Sequence, residues 1–299
     1  MAVSNTKRSN QADPHPESSW REFQDSEKYL LESFFKKNER FCVTACDRFR
    51  HFNHRYDQAW FTGEGAESPA DALILYSKQT LFPVFNGQKE AHLPTALLHA
   101  LKNIKIHALH GSAADTETLE KILLAPGIQA AEHNSYHLME LDSLDSEESA
   151  IGIPGLIIRK FDPADSEKIL PLQEAYEKEE VLPEGTIFDP RLCRQNLAQI
   201  IKNHCLIVAC LNGELIGKIN TNAQSYSRYQ LGGAYVSPRY RRLGIGSALV
   251  SAIARLILSQ GKGLTLFVKK QNTAAISIYQ KTGFKNIGDF GIVYMNQRI

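Results

Sequence analysis

The sequence predicts an α/β fold of the α+β type, with a mixed central sheet flanked by helices. An apolar strand over 229–236 runs into a basic, glycine-containing turn, and a helix begins near Gly246. A second strand, turn and helix follow the same order over 104–124. Around them, short apolar runs alternate with amphipathic segments. This alternation is typical of a sheet that is covered by helices.

Composition narrows the class of protein. At 299 residues the chain fits two domains better than one. Its 34 Lys and Arg balance 33 Asp and Glu, which gives no general attraction to nucleic acid or membrane surfaces. No run approaches the roughly 20 apolar residues of a membrane helix. Five cysteines without a CxxC pair are typical of reduced thiols, so we expect a cytoplasmic protein.

Composition also divides the chain into four segments. Residues 1–19 are polar and lack the apolar region of a signal peptide, so they are predicted to be a disordered leader. We predict an N-terminal α/β domain over 20–142, an acidic linker over 143–154 and a C-terminal domain over 155–299. The N-terminal half could be a degenerate copy of the C-terminal fold. Its strand–turn–helix lacks the second glycine and the arginines, so we do not expect it to bind the same ligand.

Two histidine-containing motifs raise the question of a metal. The motif Cys42-x3-Cys46-x4-His51-x2-His54 invites a zinc interpretation, but its spacing fits no common zinc finger. Phenylalanines between its members favour cysteines that pack on an apolar face. The pair His133 and His137 is better explained as surface or satisfied side chains. We therefore predict no metal.

The C-terminal half can be followed element by element. The pattern predicts a strand at 156–161, helices at 162–180 and 191–202, and a hairpin whose strands meet at Asn212-Gly213. The central strand at 229–236 and its helix follow. A strand at 264–268, a short helix at 272–282 and a last hairpin over 284–295 complete the half.

The turn after the central strand is suited to an anion. A helix N-terminus carries free backbone N–H groups and partial positive charge. Gly244 and Gly246 allow close approach of the backbone, and Arg239, Arg241 and Arg242 add positive charge. No lysine follows Gly246 as in a Walker A loop, and the third glycine of a dinucleotide-binding loop is replaced by a leucine at 249. The turn therefore predicts another phosphate-bearing ligand.

Two motifs carry a family resemblance. Arg241-x-x-Gly244-x-Gly246 after a strand resembles the acyl-CoA pyrophosphate loop of the GNAT superfamily of N-acetyltransferases. Asn272-x-x-Ala275-x-x-x-Tyr279-x-x-x-Gly283-Phe284 resembles the second motif of that superfamily. With the order of elements, the resemblance covers 155–295. The run 176–181 also resembles a bacterial two-domain group with a divergent N-terminal half.

The resemblance implies acetyl-CoA as cosubstrate and a set of binding residues. The backbone of the central strand would pair with the pantetheine arm, and the Val236 N–H would face the thioester oxygen. Asn272 would cap its helix and contact the same arm. The backbone of the loop would hold the pyrophosphate, with the arginines of the turn facing phosphates. The residues concerned are Ala234, Tyr235, Val236, Arg241, Arg242, Leu243, Gly244, Ile245, Gly246, Ser247 and Asn272.

The resemblance also assigns catalytic roles. Tyr279 matches the tyrosine that protonates the departing thiolate, and its alternative role is that of a plain core tyrosine. For the base, Glu180 is the first choice, with Glu179 and Glu184 nearby. These carboxylates could equally form a solvated helix end, and a family member can work with no single base.

The function implied is N-acetylation of a primary amine by acetyl-CoA. The acceptor could be a small metabolite, an amino acid or a protein amine. Transfer would be direct, within a ternary complex, because no cysteine occupies a matched catalytic position. Two alternatives stay open: a non-catalytic acyl-CoA-binding regulatory protein, and an N-acyltransferase that uses a longer acyl-CoA. We expect no nucleic-acid or membrane partner, whereas a partner protein or a homodimer remains open.

Overall fold

The computed structural model describes residues 20–63, 68–87, 93–124, 127–144, 152–182 and 186–296. The predicted leader, most of the predicted linker and Glu184 lie outside these ranges. None of the helices in these ranges combines the length and the apolar character needed to cross a bilayer.

Seven α-helices and twelve strands are described. The helices are α1 (Lys28–Arg50), α2 (Thr95–Lys102), α3 (Ala113–Leu124), α4 (Ser166–Tyr176), α5 (Pro190–Asn203), α6 (Ile245–Leu258) and α7 (Thr273–Lys281). The strands of the first half are β1 (Arg21–Glu22), β2 (Gln58–Thr62), β3 (Ala72–Ser77), β4 (Thr80–Val84), β5 (Ala108–Ser112) and β6 (Ala130–Leu141). Those of the second half are β7 (Leu156–Lys160), β8 (Leu206–Leu211), β9 (Glu214–Gln224), β10 (Arg228–Val236), β11 (Gly263–Lys269) and β12 (Lys285–Met295).

All twelve strands form one mixed sheet, in the order β1-β2-β3-β4-β5-β12-β6-β11-β10-β9-β8-β7. The pairs β4–β5 and β10–β11 are parallel, and the other neighbours are antiparallel. Helices cover the sheet on both sides, as the separate apolar clusters around α6 and around α4 and α5 indicate. The predicted fold class, a mixed central sheet flanked by helices, is confirmed.

The two halves exchange their last strands. Strand β12 lies between β5 and β6, and β6 lies between β11 and β12. We expected a hairpin over 284–295, and this prediction is wrong because β12 is one continuous strand that pairs with β5 and β6. A register shift between Asn286 and Gly288 allows the strand to continue through this segment. The place of a hairpin partner beside β11 is taken by β6 from the first half.

The two halves also repeat one order of elements. The series β4-α2-β5-α3-β6 in the first half corresponds to β10-α6-β11-α7-β12 in the second. In both series the first two strands are parallel neighbours, and the helix between them makes the crossover. The strand and helix that the sequence suggested at 104–124 are therefore β5 and α3, but they correspond to β11 and α7 and not, as expected, to the central strand β10 and α6.

The hairpin at Asn212-Gly213 is confirmed. Asn212 and Gly213 have φ angles of 50° and 90°, which are the left-handed values of a two-residue hairpin turn. Strand β8 then alternates cleanly between the two faces of the sheet. Val208 packs toward α4 and α5, whereas Ile207 and Ala209 pack toward α6.

Helix α1 ties the first half to the start of β10. The Thr44 hydroxyl donates to the Gln230 side chain at 2.8 Å, and the Glu39 carboxylate accepts from the Ser227 N–H at 3.0 Å. Cys42 marks a kink in α1, with φ of −141°. These contacts fix the end of β10 that lies farthest from the glycine-containing turn.

The cysteines and histidines of the two metal-like motifs have different partners. Cys42 and Cys46 are buried in α1 with their sulfur atoms 3.8 Å apart. His54 contacts Asp25, and the His133 ring contacts Glu120 at 2.9 Å. No group of three His, Cys, Asp or Glu side chains in the described ranges is arranged to hold a metal ion.

Candidate functional site

A cleft opens between the parallel strands β10 and β11. In the described residues their pairing covers only three positions, from Arg228 opposite Gly263 to Gln230 opposite Thr265. Beyond this point β10 continues to pair with β9, and β11 continues to pair with β6. The two strands thus diverge, and the edge of β10 that faces β11 is available to a ligand.

The cleft edge of β10 carries the Val236 N–H. The next N–H, that of Ser237, donates to Ile216 O at 2.9 Å on the β9 side. Because successive backbone N–H groups of a strand point to opposite sides, the Val236 N–H points toward β11. Of its neighbours, Ala234 is half-buried beside the α6 core, and the Tyr235 side chain is buried on the opposite face against α4.

The N-terminus of α6 lies at the open end of the cleft. Gly244 has φ of 81°, which an L side chain rarely adopts, and it makes the turn into the helix. The first backbone bond of the helix runs from the Ala248 N–H to Gly244 O at 3.1 Å. The N–H groups of Ile245, Gly246 and Ser247 therefore have no acceptor within the helix.

The residues of the loop over 242–246 differ in exposure and in packing. Ile245 is buried in the core, whereas Arg242 and Leu243 are exposed. At Gly246, an added Cβ would lie 3.0 Å from the Ile278 Cδ1 atom of α7. Gly246 thus allows α6 and α7 to pack closely, a reason that the anion argument did not anticipate.

Arg241 is already engaged by protein groups. Its Nη2 donates to Glu179 Oε2 at 2.8 Å, and its Nε donates to Val236 O at 2.9 Å. The Tyr235 hydroxyl donates to the same Glu179 oxygen at 3.1 Å. The Arg241 guanidinium, with help from that hydroxyl, holds the pKa of Glu179 below its ordinary value. The arginine of the loop motif therefore connects the loop to the turn that follows α4.

Tyr279 and Asn272 both lie in or beside α7. The Asn272 side chain accepts from the Ala275 N–H at 3.0 Å, which is the predicted helix cap. Tyr279 is buried and packs edge-on against Phe284, with ring centroids 5.7 Å apart. Burial, with the nearby Tyr176 and Glu180, raises the pKa of Tyr279 far above its ordinary value. Its hydroxyl therefore keeps its proton at neutral pH.

Glu180 lies among tyrosines. It belongs to one π-helical turn, Glu177–Val181, and its backbone carbonyl accepts from Lys269 Nζ at 3.1 Å. Its negative charge contributes to raising the pKa of Tyr279, Tyr176 and Tyr136, after burial as the main cause. The carboxylate, the hydroxyl of α7 and two further phenols therefore share one region. Glu180 lies near enough to Tyr279 for its charge to act on the phenol.

Sequence reasoning missed three residues of this region. Tyr136 comes from β6, the strand donated by the first half, and lies opposite Lys269 in the sheet. Tyr176 ends α4, and Lys218 is fully buried in β9. Tyr176 lies within the helix that the sequence predicts over 162–180, so its place near the end of that helix could have indicated it. No local signal points to Tyr136, because it reaches the site through the strand exchange.

The comparisons with known proteins agree with this geometry. Residues 170–284 match the model of the acetyltransferase (GNAT) family. No curated protein matches the chain. A solved Drosophila protein is 15% identical with a TM-score of 0.64, and the alignment covers 93% of this chain and 98% of that one. A GCN5-related N-acetyltransferase from Sphaerobacter thermophilus is 14% identical, with a TM-score of 0.58 and coverage of 93% and 95%.

A GNAT-family acetyltransferase from Colwellia psychrerythraea gives 10% identity and a TM-score of 0.54, over 93% of this chain and 100% of that one. At these identities the solved structures establish a shared fold over nearly the whole chain. The family model identifies the part that carries the diverging strands, the helix N-terminus and the buried tyrosine. Residues 170–284 are therefore the part of the chain that is similar to the acetyltransferase (GNAT) family.

Proposed function

We propose that this protein transfers an acetyl group from acetyl-CoA directly to a primary amine. The observation that supports this most strongly is the cleft between β10 and β11. At one end it leads to the N-terminus of α6, and the protonated Tyr279 is buried in the core cluster against which Ala234 and Val236 pack. A ligand with an extended polar arm and a polyphosphate fits this combination of an open strand edge and a helix N-terminus.

The donor groups of the chain suit acetyl-CoA, which would supply an activated acetyl thioester. The open edge of β10 over 234–236 offers alternating N–H and C=O groups to the amides of the pantetheine arm. The free N–H groups of Ile245, Gly246 and Ser247 would hold the pyrophosphate. The exposed Arg242 adds positive charge beside them. These assignments are proposals that follow from the available donors.

Three groups would manage charge and protons. The Val236 N–H, which points into the cleft, is placed to donate to an oxygen that becomes negative during transfer. The Tyr279 hydroxyl keeps its proton and can give it to a departing thiolate. Glu180 would orient an ammonium group or accept its proton, directly or through water. Glu179, the residue before it, is already paired with Arg241.

The first half would contribute to the acceptor side of this site. Burial raises the pKa of Tyr136 to about 12, and the neighbouring Tyr294, Tyr176 and Glu132 contribute before the smaller effect of Glu180. A phenol that stays protonated beside a carboxylate can donate to a polar group of the acceptor. The amine acceptor would therefore contact residues from both halves of the chain.

The test is binding and turnover with a charge-reversal variant of the helix N-terminus. Ser247 occupies the third position of α6, where a glutamate favours helix formation. Ser247→Glu should therefore fold normally but repel a pyrophosphate. Ser251→Glu, one turn farther along α6, is the matched control. We would measure acetyl-CoA affinity by calorimetry and acetylation of a panel of amines by mass spectrometry.

We expect the wild type and Ser251→Glu to bind acetyl-CoA, and Ser247→Glu to lose at least about tenfold in affinity, since a repulsion of about 1.4 kcal/mol is tenfold. Equal affinity of both variants would contradict the placement of the pyrophosphate. Binding with no acetylation of any amine would favour the non-catalytic regulator. Tighter binding and faster turnover with longer thioesters would favour the longer acyl donor.

A further inference from the structure

Lys218 is a fully buried lysine that forms no salt bridge within the described residues. Its exposed fraction is 0%, and it is the charged residue among the largest fully buried side chains. Its Nζ donates to Gly233 O at 2.9 Å and to Asn220 Oδ1 at 3.2 Å, and lies 4.6 Å from the centre of the Tyr176 ring. Burying an ammonium group away from a counter-ion is costly. Such a group calls for a role beyond packing.

The partner of Lys218 is the bulge in β10. Between the pairs Gly232–Asn220 and Tyr235–Lys218, β10 advances by three residues while β9 advances by two. The extra residue makes a bulge at Gly233, which has φ of 60°. A Cβ there would lie 2.0 Å from Asn220 Oδ1 and 2.9 Å from Lys218 Nζ. The glycine is required because these two polar side chains lie directly beneath it.

The carbonyl of the bulge residue is held by a buried side chain. Lys218 Nζ donates to the Gly233 carbonyl at 2.9 Å. The same amine lies 4.6 Å from the centre of the Tyr176 ring. Burial raises the pKa of the Tyr176 phenol to about 12, and the Gly233 backbone opposes this shift. Tyr176 of α4 and Lys218 of β9 therefore lie at the same bulge.

The position of the bulge gives this clamp a consequence. Gly233 lies three residues before Val236, whose N–H points into the cleft. A bulge bends its strand and increases the local twist. Its geometry therefore sets the direction in which 234–236 leave the sheet and the angle between β10 and β11.

We propose that Lys218 is a positioning residue for acetyl transfer. Its amine, which lies over the Tyr176 ring, fixes the Gly233 bulge and thereby the direction of the Val236 N–H toward the reacting carbonyl. This inference rests on the proposed function, because it assigns Lys218 to a reaction at the edge of β10. Lys218 touches neither reactant.

The charge of Lys218 gives the proposal a distinctive readout. The groups that face its amine are Tyr176 of α4, Glu177 of the π-helical turn and Cys193 of α5, besides Asn220 and the Gly233 carbonyl. Burial lowers the pKa of Lys218 to about 7, with Glu177 opposing the shift. An ammonium donates a stronger hydrogen bond than a neutral amine and alone makes the cation–π contact. The clamp is therefore strongest below pH 7 and weakens as pH rises through 7.

The experiment compares Lys218→Met with Lys262→Met. The Lys262 amine also donates to a backbone carbonyl, Tyr226 O at 2.8 Å, but at the opposite end of β10. We expect Lys218→Met to lower kcat about 100-fold, as a misplaced reacting geometry does, while the calorimetric Kd for CoA changes far less, because the proposed pyrophosphate site on α6 does not depend on the bulge. The ratio of wild-type to Lys218→Met kcat should fall as pH rises from 6 to 8.5. Lys262→Met should match the wild type throughout.

Tyr176→Leu guards against failure of Lys218→Met to fold. It leaves Lys218 in place and removes only the ring 4.6 Å from its amine, so kcat should fall about fivefold, the worth of one cation–π contact. A folded Lys218→Met with wild-type kcat, a loss that is the same at every pH, or a Tyr176→Leu with wild-type kcat would overturn the proposal. A wild type that acetylates no amine refutes the proposed function itself, and this inference falls with it.

Discussion

The Glu179–Arg241 pair leads to a prediction about CoA binding that differs from what the sequence alone suggests. The loop motif suggests that Arg241 faces phosphates, but in the structure its guanidinium is bound to Glu179 and to Val236 O. A phosphate would have to compete with the Glu179 carboxylate. Glu179→Gln keeps the shape of the side chain and removes its charge. We therefore expect this variant to bind CoA more tightly than the wild type.

The size of the effect follows from the exposure of the pair. The Arg241 and Glu179 side chains are 41% and 40% exposed, so solvent screens their interaction, which is worth no more than about 1 kcal/mol. Removing this competitor should tighten CoA binding by up to about fivefold. The gain should shrink as salt is raised, since the competing pair is itself screened.

Calorimetry at two salt concentrations measures this change, and Glu214→Gln is the control. Glu214 is a second carboxylate beside the loop, where it accepts from the Tyr240 hydroxyl at 3.1 Å. Its loss removes the same charge without releasing Arg241. A gain confined to Glu179→Gln supports competition. Weaker CoA binding in Glu179→Gln would refute the reasoning, because Arg241 would then serve to hold the loop against the turn after α4.

Four further predictions concern the site and the fold. Tyr279→Phe should lower kcat about 100-fold with an unchanged calorimetric Kd for CoA, because only the transferable proton is removed. Gly244→Ala should lower the free energy of unfolding in urea by about 1–2 kcal/mol, since its φ of 81° is left-handed, whereas Gly246→Ala, in helical backbone, should stay within about 1 kcal/mol. Burial, with the nearby Arg48 charge, lowers the pKa of His110 from 6.5 to about 4. The unfolded state therefore binds more protons between these pH values, and the free energy of unfolding should fall as pH drops from 6.5 to 4. In urea titrations, His110→Gln should flatten this fall. A fragment of residues 152–299 lacks β6, so it should show no cooperative unfolding transition by circular dichroism unless the first half is co-expressed. A cooperative transition of the fragment alone would contradict the claim that the second half depends on β6.

The features that the sequence predicted well are those fixed by neighbouring residues. Asn212-Gly213 needs only its own left-handed backbone to make a hairpin, and Asn272 caps α7 through an amide three residues away. Gly244 likewise makes its turn locally. The order of strands and helices in the second half follows from the same kind of information, since periodicity and turn residues act over a few positions.

The features that the sequence did not reveal depend on distant pairing. We predicted a hairpin over 284–295. The segment forms one straight strand instead, because β6 lies beside it and pairs with it along its length. Lys218 stands in a strand where a lysine would ordinarily face solvent, and its burial depends on Tyr176 and on the bulge at Gly233. The role of Arg241 was likewise hidden, because its partner Glu179 lies 62 residues away.

The strand exchange explains why the site needs more than the residues that the family model matches. The closed end of the cleft, where β10 still pairs with β11, is fixed from the first half by Glu39 and Thr44 of α1. One wall beyond it is β6, which supplies Tyr136 beside Glu180. A sheet closed by its own hairpin would offer neither contact. Because both the hinge of the cleft and part of its lining come from the first half, we expect that half to be a structural part of the proposed site. A change in β6 should then alter acceptor selection without touching the loop that is proposed to bind CoA.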